Sequence, residues 1–319
     1  MNDYIGHEAA WQQWRRALAS ERMHHGWILS GRKGVGKSAF ALAAARELVA
    51  EEGADQPARD HPDILYLTHG PKNDVEAKKA SDEKPYERAR NIKINQIRRL
   101  QQRLTTRPTL GARRVVIIDP ADDLEGNAAN ALLKSLEEPP QGTYFMLIAH
   151  RIGRLLPTIR SRCRVLDFPR VSDDDMRAVL SRETPQASDD VRAAAIAAAS
   201  GSPGAAIDFV QLDLGKVHGL MQAISFKGDP DFRLRGQLAS AMGARPTREK
   251  QLAAIELARA VTAERMTGIA PHDIPAVTDT HAALVRLAGQ APTANFDPGL
   301  LVMEIGTLLT GLASGRSAA

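Results

Sequence analysis

Gly31-Arg32-Lys33-Gly34-Val35-Gly36-Lys37-Ser38 limits what this chain can fold into more than any other stretch. It fits the phosphate-loop pattern G-x-x-x-x-G-K-[ST] in full. It follows an apolar run, Trp27-Ile28-Leu29, and precedes a segment with Phe40, Ala44 and Leu48 at helical spacing. Such a strand–loop–helix wraps phosphates, because the glycines let backbone amides turn inward and the helix N-terminus adds its positive end. Gly31, Gly34 and Gly36 are expected to shape the loop. Lys37 is expected on the β- and γ-phosphates and the Ser38 hydroxyl on magnesium, so Mg-ATP is the implied ligand. A glycine-rich turn without ligand is the alternative, and the flanking strand and helix speak against it.

The surrounding sequence reads as a parallel sheet covered by helices. Further strands are expected at 64–67, 115–118, 144–149 and 165–168. Helices are expected at 38–51, 94–104 and 127–137, the last ended by Pro139-Pro140. Residues 70–90 are polar and without periodicity and read as an exposed insertion or mobile loop. After Phe168 the text turns helical. Ser172 caps a helix that opens on Asp173-Asp174-Asp175, and breaks fall at 201–204, 228–230, 270–271 and 291–292. The expected division is an α/β domain at 1–168, a small helical module at 169–211 and an all-helical domain at 212–319.

Some classes fall away. No apolar run is long enough to cross a membrane, and Met1-Asn2-Asp3-Tyr4 opens no secretory signal, so the chain reads as cytoplasmic. A single cysteine, Cys163, excludes an internal disulfide and a cysteine-built zinc site; it reads as a small structural hydrophobe. A net charge of +4 permits nucleic-acid contact without demanding it. Arg98, Arg99, Arg103 and Arg107, with Arg113 and Arg114 nearby, could follow a DNA backbone or a partner's acidic surface, or form a solvated helix face.

Val115-Val116-Ile117-Ile118-Asp119 is an apolar strand ending in an acid, as where P-loop ATPases hold magnesium. A plain Asp-Pro turn is the alternative; the phosphate loop upstream favours the magnesium role for Asp119. Pro120 stands where many such enzymes place a glutamate to activate water, and proline cannot act as a base. Weak or absent hydrolysis follows.

Two further motifs are specific: Asn130-Ala131-Leu132-Leu133-Lys134-Ser135-Leu136-Glu137-Glu138-Pro139-Pro140, and Thr158-Ile159-Arg160-Ser161-Arg162-Cys163. Together they resemble the clamp-loader branch of the AAA+ ATPases, and within it the delta-prime subunits of bacterial DNA polymerase III. Asp119-Pro120-Ala121-Asp122, Ile5-Gly6-His7, the segments 24–29 and 94–100, and Gly201 to Ala206 extend the likeness over about residues 5–210. The resemblance implies an AAA+ domain, a helical lid and a C-terminal helical collar that joins the subunits. It implies partners, namely motor subunits of the gamma or tau kind and a delta-like subunit, and through them the sliding clamp and primer-template DNA. It implies that Arg162 is an arginine finger entering a neighbouring motor subunit's ATP site. It places Gly204 where motor subunits carry a sensor arginine, and His150 near the other sensor position. This chain departs from many relatives in two ways: its phosphate loop is intact, and residues 51–60 carry no zinc cysteines. A self-sufficient AAA+ ATPase and a nucleotide-free scaffold are the competing readings.

Overall fold

The computed structural model of this protein describes residues 5–20, 22–50, 57, 60–267, 269–291 and 296–314. Residues 1–4, most of 51–60, and Pro292 lie outside them, so the readings made there are not followed further. The chain forms two compact units, 1–171 and 172–319. The expected boundary at 211/212 falls inside the second unit.

The first unit is built on five strands: β1 (Gly26–Gly31), β2 (Ile64–Leu67), β3 (Arg114–Ile118), β4 (Thr143–Ala149) and β5 (Arg164–Phe168). All are parallel, in the order β2-β3-β4-β1-β5. Register is fixed by pairs such as Leu29–Ile148 and Leu29–Leu166. Side chains alternate across a strand, so each strand feeds two cores. Trp27, Leu29, Val115, Ile117, Met146 and Ile148 face one way. There they pack with Trp11 and Trp14 of α1 (Glu8–Leu18) and with Phe40, Ala44 and Leu48 of α2 (Lys37–Val49). Ile28, Val116, Ile118, Phe145 and Leu147 face the other way. They meet Ile97, Leu100 and Leu104 of α4 (Ile94–Leu104) and Leu132 and Leu136 of α5 (Gly126–Glu137).

The insertion departs from expectation. Residues 70–90 contain a helix, α3 (Asp74–Ser81), inside a closed loop: Lys72 N–H donates to the Glu87 carbonyl at 2.9 Å and Ala89 N–H to that of Gly70 at 2.7 Å. Asn73 caps α3, accepting from Glu76 N at 3.0 Å, and the buried Glu76 carboxylate accepts from Glu87 N at 2.7 Å. Polar anchors do the work of an apolar stripe.

Arg114, one of the cationic cluster, is buried. Its guanidinium donates to the carbonyls of Arg103, Thr106 and Arg107 at 2.8–3.0 Å, closing the C-terminal end of α4. It therefore faces no DNA, whereas Arg98, Arg99, Arg103 and Arg107 are exposed.

The second unit is helical: α7 (Asp173–Glu183), α8 (Asp189–Ala199), α9 (Pro203–Gln211), α10 (Gly215–Lys227), α11 (Arg233–Met242), α12 (Arg248–Glu264), α13 (Ile274–Gln290) and α14 (Pro298–Ser314); a single-turn α6 (Pro157–Arg160) belongs to the first unit. Ser172 caps α7 as the sequence predicts. None of the described helices is long and apolar enough to cross a membrane.

Before α11, Asp229 is fully buried and accepts from Leu234 N, Arg235 N and Arg235 Nε, each at 2.9 Å. Arg235 lies 3.7 Å over the Phe232 ring, and a Cβ on Gly306 of α14 would stand 2.5 Å from its Cγ. Burial works to raise the Asp229 pKa, but the two amides and the Arg235 guanidinium outweigh it and hold the carboxyl below its usual range. Removing one partner of a buried, hydrogen-bonded pair costs about 3–5 kcal/mol, and we expect that of Asp229→Asn. The folded pKa lies below the unfolded one, so this contribution is present above about pH 4 and lost as pH falls through the folded value. Urea titrations should therefore show a full gap between wild type and variant at pH 7 that closes under acid. A gap independent of pH would contradict the assignment.

Candidate functional site

A parallel sheet puts every strand's carboxyl end at one edge, where α/β proteins receive ligands. Three segments converge at that edge: the phosphate loop after β1, Asp119 after β3 and His150 after β4. The loop's shape depends on its glycines. Gly34 and Gly36 have φ of 81° and 105°, and a Cβ on Gly31 would lie 2.3 Å from the Phe168 carbonyl oxygen. Gly36 is the residue before α2, so the loop leads directly into that helix N-terminus.

Lys37 is 3% exposed, and its Nζ donates to the Gly31 and Arg32 carbonyls at 2.7 and 2.6 Å. Burial pushes its pKa down to about 8, against the pull of Asp119 and Asp122. Ser38 Oγ donates to Asp119 Oδ2 at 2.6 Å, tying the loop to β3. The same oxygen accepts from the Tyr66 hydroxyl. Tyr66 sits on β2 opposite Ile117, and burial, followed by its bond to Asp119, pushes its pKa well up. Sequence reasoning missed Tyr66, because only the β2–β3 register brings it to the acid.

The acids beyond Pro120 have other tasks. Asp122 is buried and accepts from the His150 and Arg151 amides at 2.9 and 3.2 Å, so it pins the chain leaving β4. Asp123 accepts from His69 Nε2 at 3.2 Å and lies 3.6 Å from Arg154 Nη1. Burial pushes Asp123 up, but the His69 bond and the arginine charges outweigh it and hold its carboxyl low. Burial and the nearby Lys37 ammonium lower the His150 pKa, so its ring is neutral at pH 7. Its Nδ1 is buried with no hydrogen-bond partner among the described residues.

This arrangement fits Mg-ATP. The positive-φ glycines, the buried lysine at a helix start, the Ser38–Asp119 pair and the spare His150 nitrogen are what a triphosphate and its metal require. Gly31, Gly34, Gly36 and Lys37 would hold the phosphates, with Ser38 and Asp119 on the metal side.

Arg162 lies elsewhere. It follows α6 and precedes β5, at the amino edge of the sheet, where a Cβ on Gly26 would stand 3.0 Å from its carbonyl oxygen. Five residue steps of β1, roughly 16 Å, separate Gly26 from Gly31. Its guanidinium pairs with Glu137 Oε1 at 2.7 Å, and the side chain as a whole is 37% exposed. Cys163 is half-buried, with its thiol pushed up to about 12 by burial and its Sγ against β1, as a structural residue.

Asp122→Ala leaves two amides at the β4 exit without an acceptor. A lost buried acceptor costs about 1–3 kcal/mol, so we expect a destabilisation of that size in urea unfolding and a smaller one for Asp122→Asn. Wild-type stability in both variants would show that Asp122 does not hold this segment.

Known proteins are similar to this chain. The family model for the DNA polymerase III delta subunit matches residues 6–172, just over half of the chain. The delta' subunit of Pseudomonas aeruginosa DNA polymerase III is 35% identical over 167 residues, covering 48% of this chain and 46% of that protein. The Escherichia coli delta' subunit is 31% identical over 224 residues, covering 64% and 62%. These matches span less than two thirds of either relative. A gamma subunit-related protein of Thermotoga maritima superposes with a TM-score of 0.52 at 22% identity, over 94% of this chain and 98% of that one. The chain thus shares that protein's fold, with a parallel five-stranded sheet flanked by helices in the first unit and helices in the remainder. The chain belongs to the DNA polymerase III delta-subunit family, as a delta-prime-like member.

Proposed function

We propose that this chain is a non-motor subunit of a cytoplasmic replicative clamp loader, which loads a sliding clamp on primer-template DNA. In this reading it binds Mg-ATP weakly or statically, hydrolyses it poorly, and supplies Arg162 to the ATP site of a neighbouring motor subunit. A delta-like subunit is a further partner, the helical module at 169–211 serves as a lid, and the helices of 212–319 as a collar.

The observation that carries the reading is the placement of Arg162. The phosphate loop and this guanidinium stand at opposite edges of one parallel sheet, farther apart than an arginine side chain reaches. An arginine that serves a triphosphate from there serves another chain's. A permanent, forked cation suits charge developing on a γ-phosphate. The missing base argues the same way: Pro120 follows Asp119, Asp122 is bonded to backbone amides, and Asp123 is engaged by His69. A self-sufficient ATPase would need a carboxylate free to take a proton.

In a reconstituted loader, Arg162→Ala should lower DNA-stimulated ATP turnover by about 10³-fold or more at the site it serves, with assembly intact by gel filtration. Unchanged turnover would remove the finger role. The isolated chain should bind labelled ATP at equilibrium, lose that binding in Lys37→Ala, and turn over far below the enzyme median of about 10 s⁻¹. Turnover near that median would favour the self-sufficient ATPase, and no binding would favour the scaffold.

A further inference from the structure

The surroundings of Arg162 point to a task for a residue that the proposed function does not employ. A guanidinium carries five N–H donors. Nη1 donates to the Thr158 carbonyl at 2.9 Å and to Ser161 Oγ at 3.3 Å, while Nη2 meets Glu137 Oε1 at 2.7 Å. Nη1 is thus occupied by the turn and Nη2 is paired by charge, while Nε has no partner among the described residues; N–H groups left open on a guanidinium can fork onto phosphate oxygens.

Glu137 is itself held in place. It ends α5, which Pro139-Pro140 prevents from continuing. His25 Nε2 lies 2.8 Å from the carbonyl of Leu136, the preceding residue, which ties the helix end to the start of β1. Next to His25, Gly26 has no room for a side chain: a Cβ would sit 2.9 Å from Cys163 Sγ and 3.0 Å from the Arg162 carbonyl oxygen. The end of α5, the start of β1 and the Ser161–Cys163 turn therefore pack as one assembly. Glu137 and Arg162 stand out from it with side chains 48% and 37% exposed. A pair so exposed adds little to folding. Its consequence is directional: a long, flexible cation is held by one side.

We infer that Glu137 is a positioning residue for Arg162, holding the guanidinium through an ion pair at Nη2 so that its remaining N–H groups are kept for a neighbouring chain's triphosphate. This inference rests on the finger reading above. It predicts that the carboxylate acts through the arginine and only on turnover, since the neighbour's ATP is held by the neighbour's own loop.

The experiment is a double-mutant cycle in the reconstituted loader, with Glu137→Ala, Glu137→Gln, Arg162→Ala and the Glu137→Ala/Arg162→Ala pair. Gel filtration and thermal midpoints serve as assembly and folding controls. Glu137→Ala should lower DNA-stimulated kcat about threefold to fivefold, the scale of an exposed ion pair, with KM for ATP unchanged. Glu137→Gln keeps an acceptor oxygen and should stay within about twofold of wild type. The double variant should be no slower than Arg162→Ala alone. If Arg162→Ala is slow while Glu137→Ala is unchanged, the positioning role is overturned and the finger stands. A faster Glu137→Ala overturns it too, making the carboxylate a competitor of the phosphate. If Arg162→Ala itself has no effect, both readings fail together.

Discussion

All five strands run the same way, and the rest of the structure follows from that polarity. A parallel sheet has one edge where every strand ends and another where every strand begins. The carboxyl edge gathers the phosphate loop, Asp119 and the pinned exit of β4, so phosphate-facing groups from three segments meet without a long loop. The amino edge gathers the start of β1, the turn before β5 and the end of α5, and with them Arg162, Glu137 and His25. The α/β unit therefore carries a pocket on one edge and an exposed cation on the other, which is the placement the proposed finger role requires.

The hydrogen bonds at the carboxyl edge leave none of the three nearby acids without a partner. Asp119 receives two hydroxyls on one oxygen, from Ser38 and Tyr66. A carboxylate so engaged is held in one orientation, with that oxygen occupied. Asp122 spends its oxygens on backbone amides and Asp123 on a histidine and an arginine. The site has acids in number, yet each already has a structural partner.

Much of this was legible in the sequence where a repeating pattern or a rigid motif carried it. The five strands announce themselves as short apolar runs, those of β1, β3 and β4 buried on both faces, and α4 falls on the expected residues because Ile97, Leu100 and Leu104 keep helical spacing. The loop glycines and Ser172 are legible because backbone geometry restricts which residues can stand there. What escaped depends on partners distant in sequence. Helix α3 has no apolar stripe to betray it and is held by Asn73 and Glu76 through a loop that closes only in space. Arg114 looks like its cationic neighbours until burial against the end of α4 separates it from them. Tyr66 and Glu137 gain their meaning from register and from a turn 25 residues downstream, neither of which a one-dimensional pattern encodes.

The central claim, that this chain's cation reaches another subunit's triphosphate, is tested most directly by mapping where that triphosphate touches it. An ATP analogue with a photoreactive group on the γ-phosphate would be bound to a reconstituted loader in which this chain carries Lys37→Ala, so that its own loop holds no nucleotide. After irradiation, the account predicts label on the 158–164 turn of this chain. A 158–164 turn free of label, with the label confined to the neighbouring subunit, would contradict it.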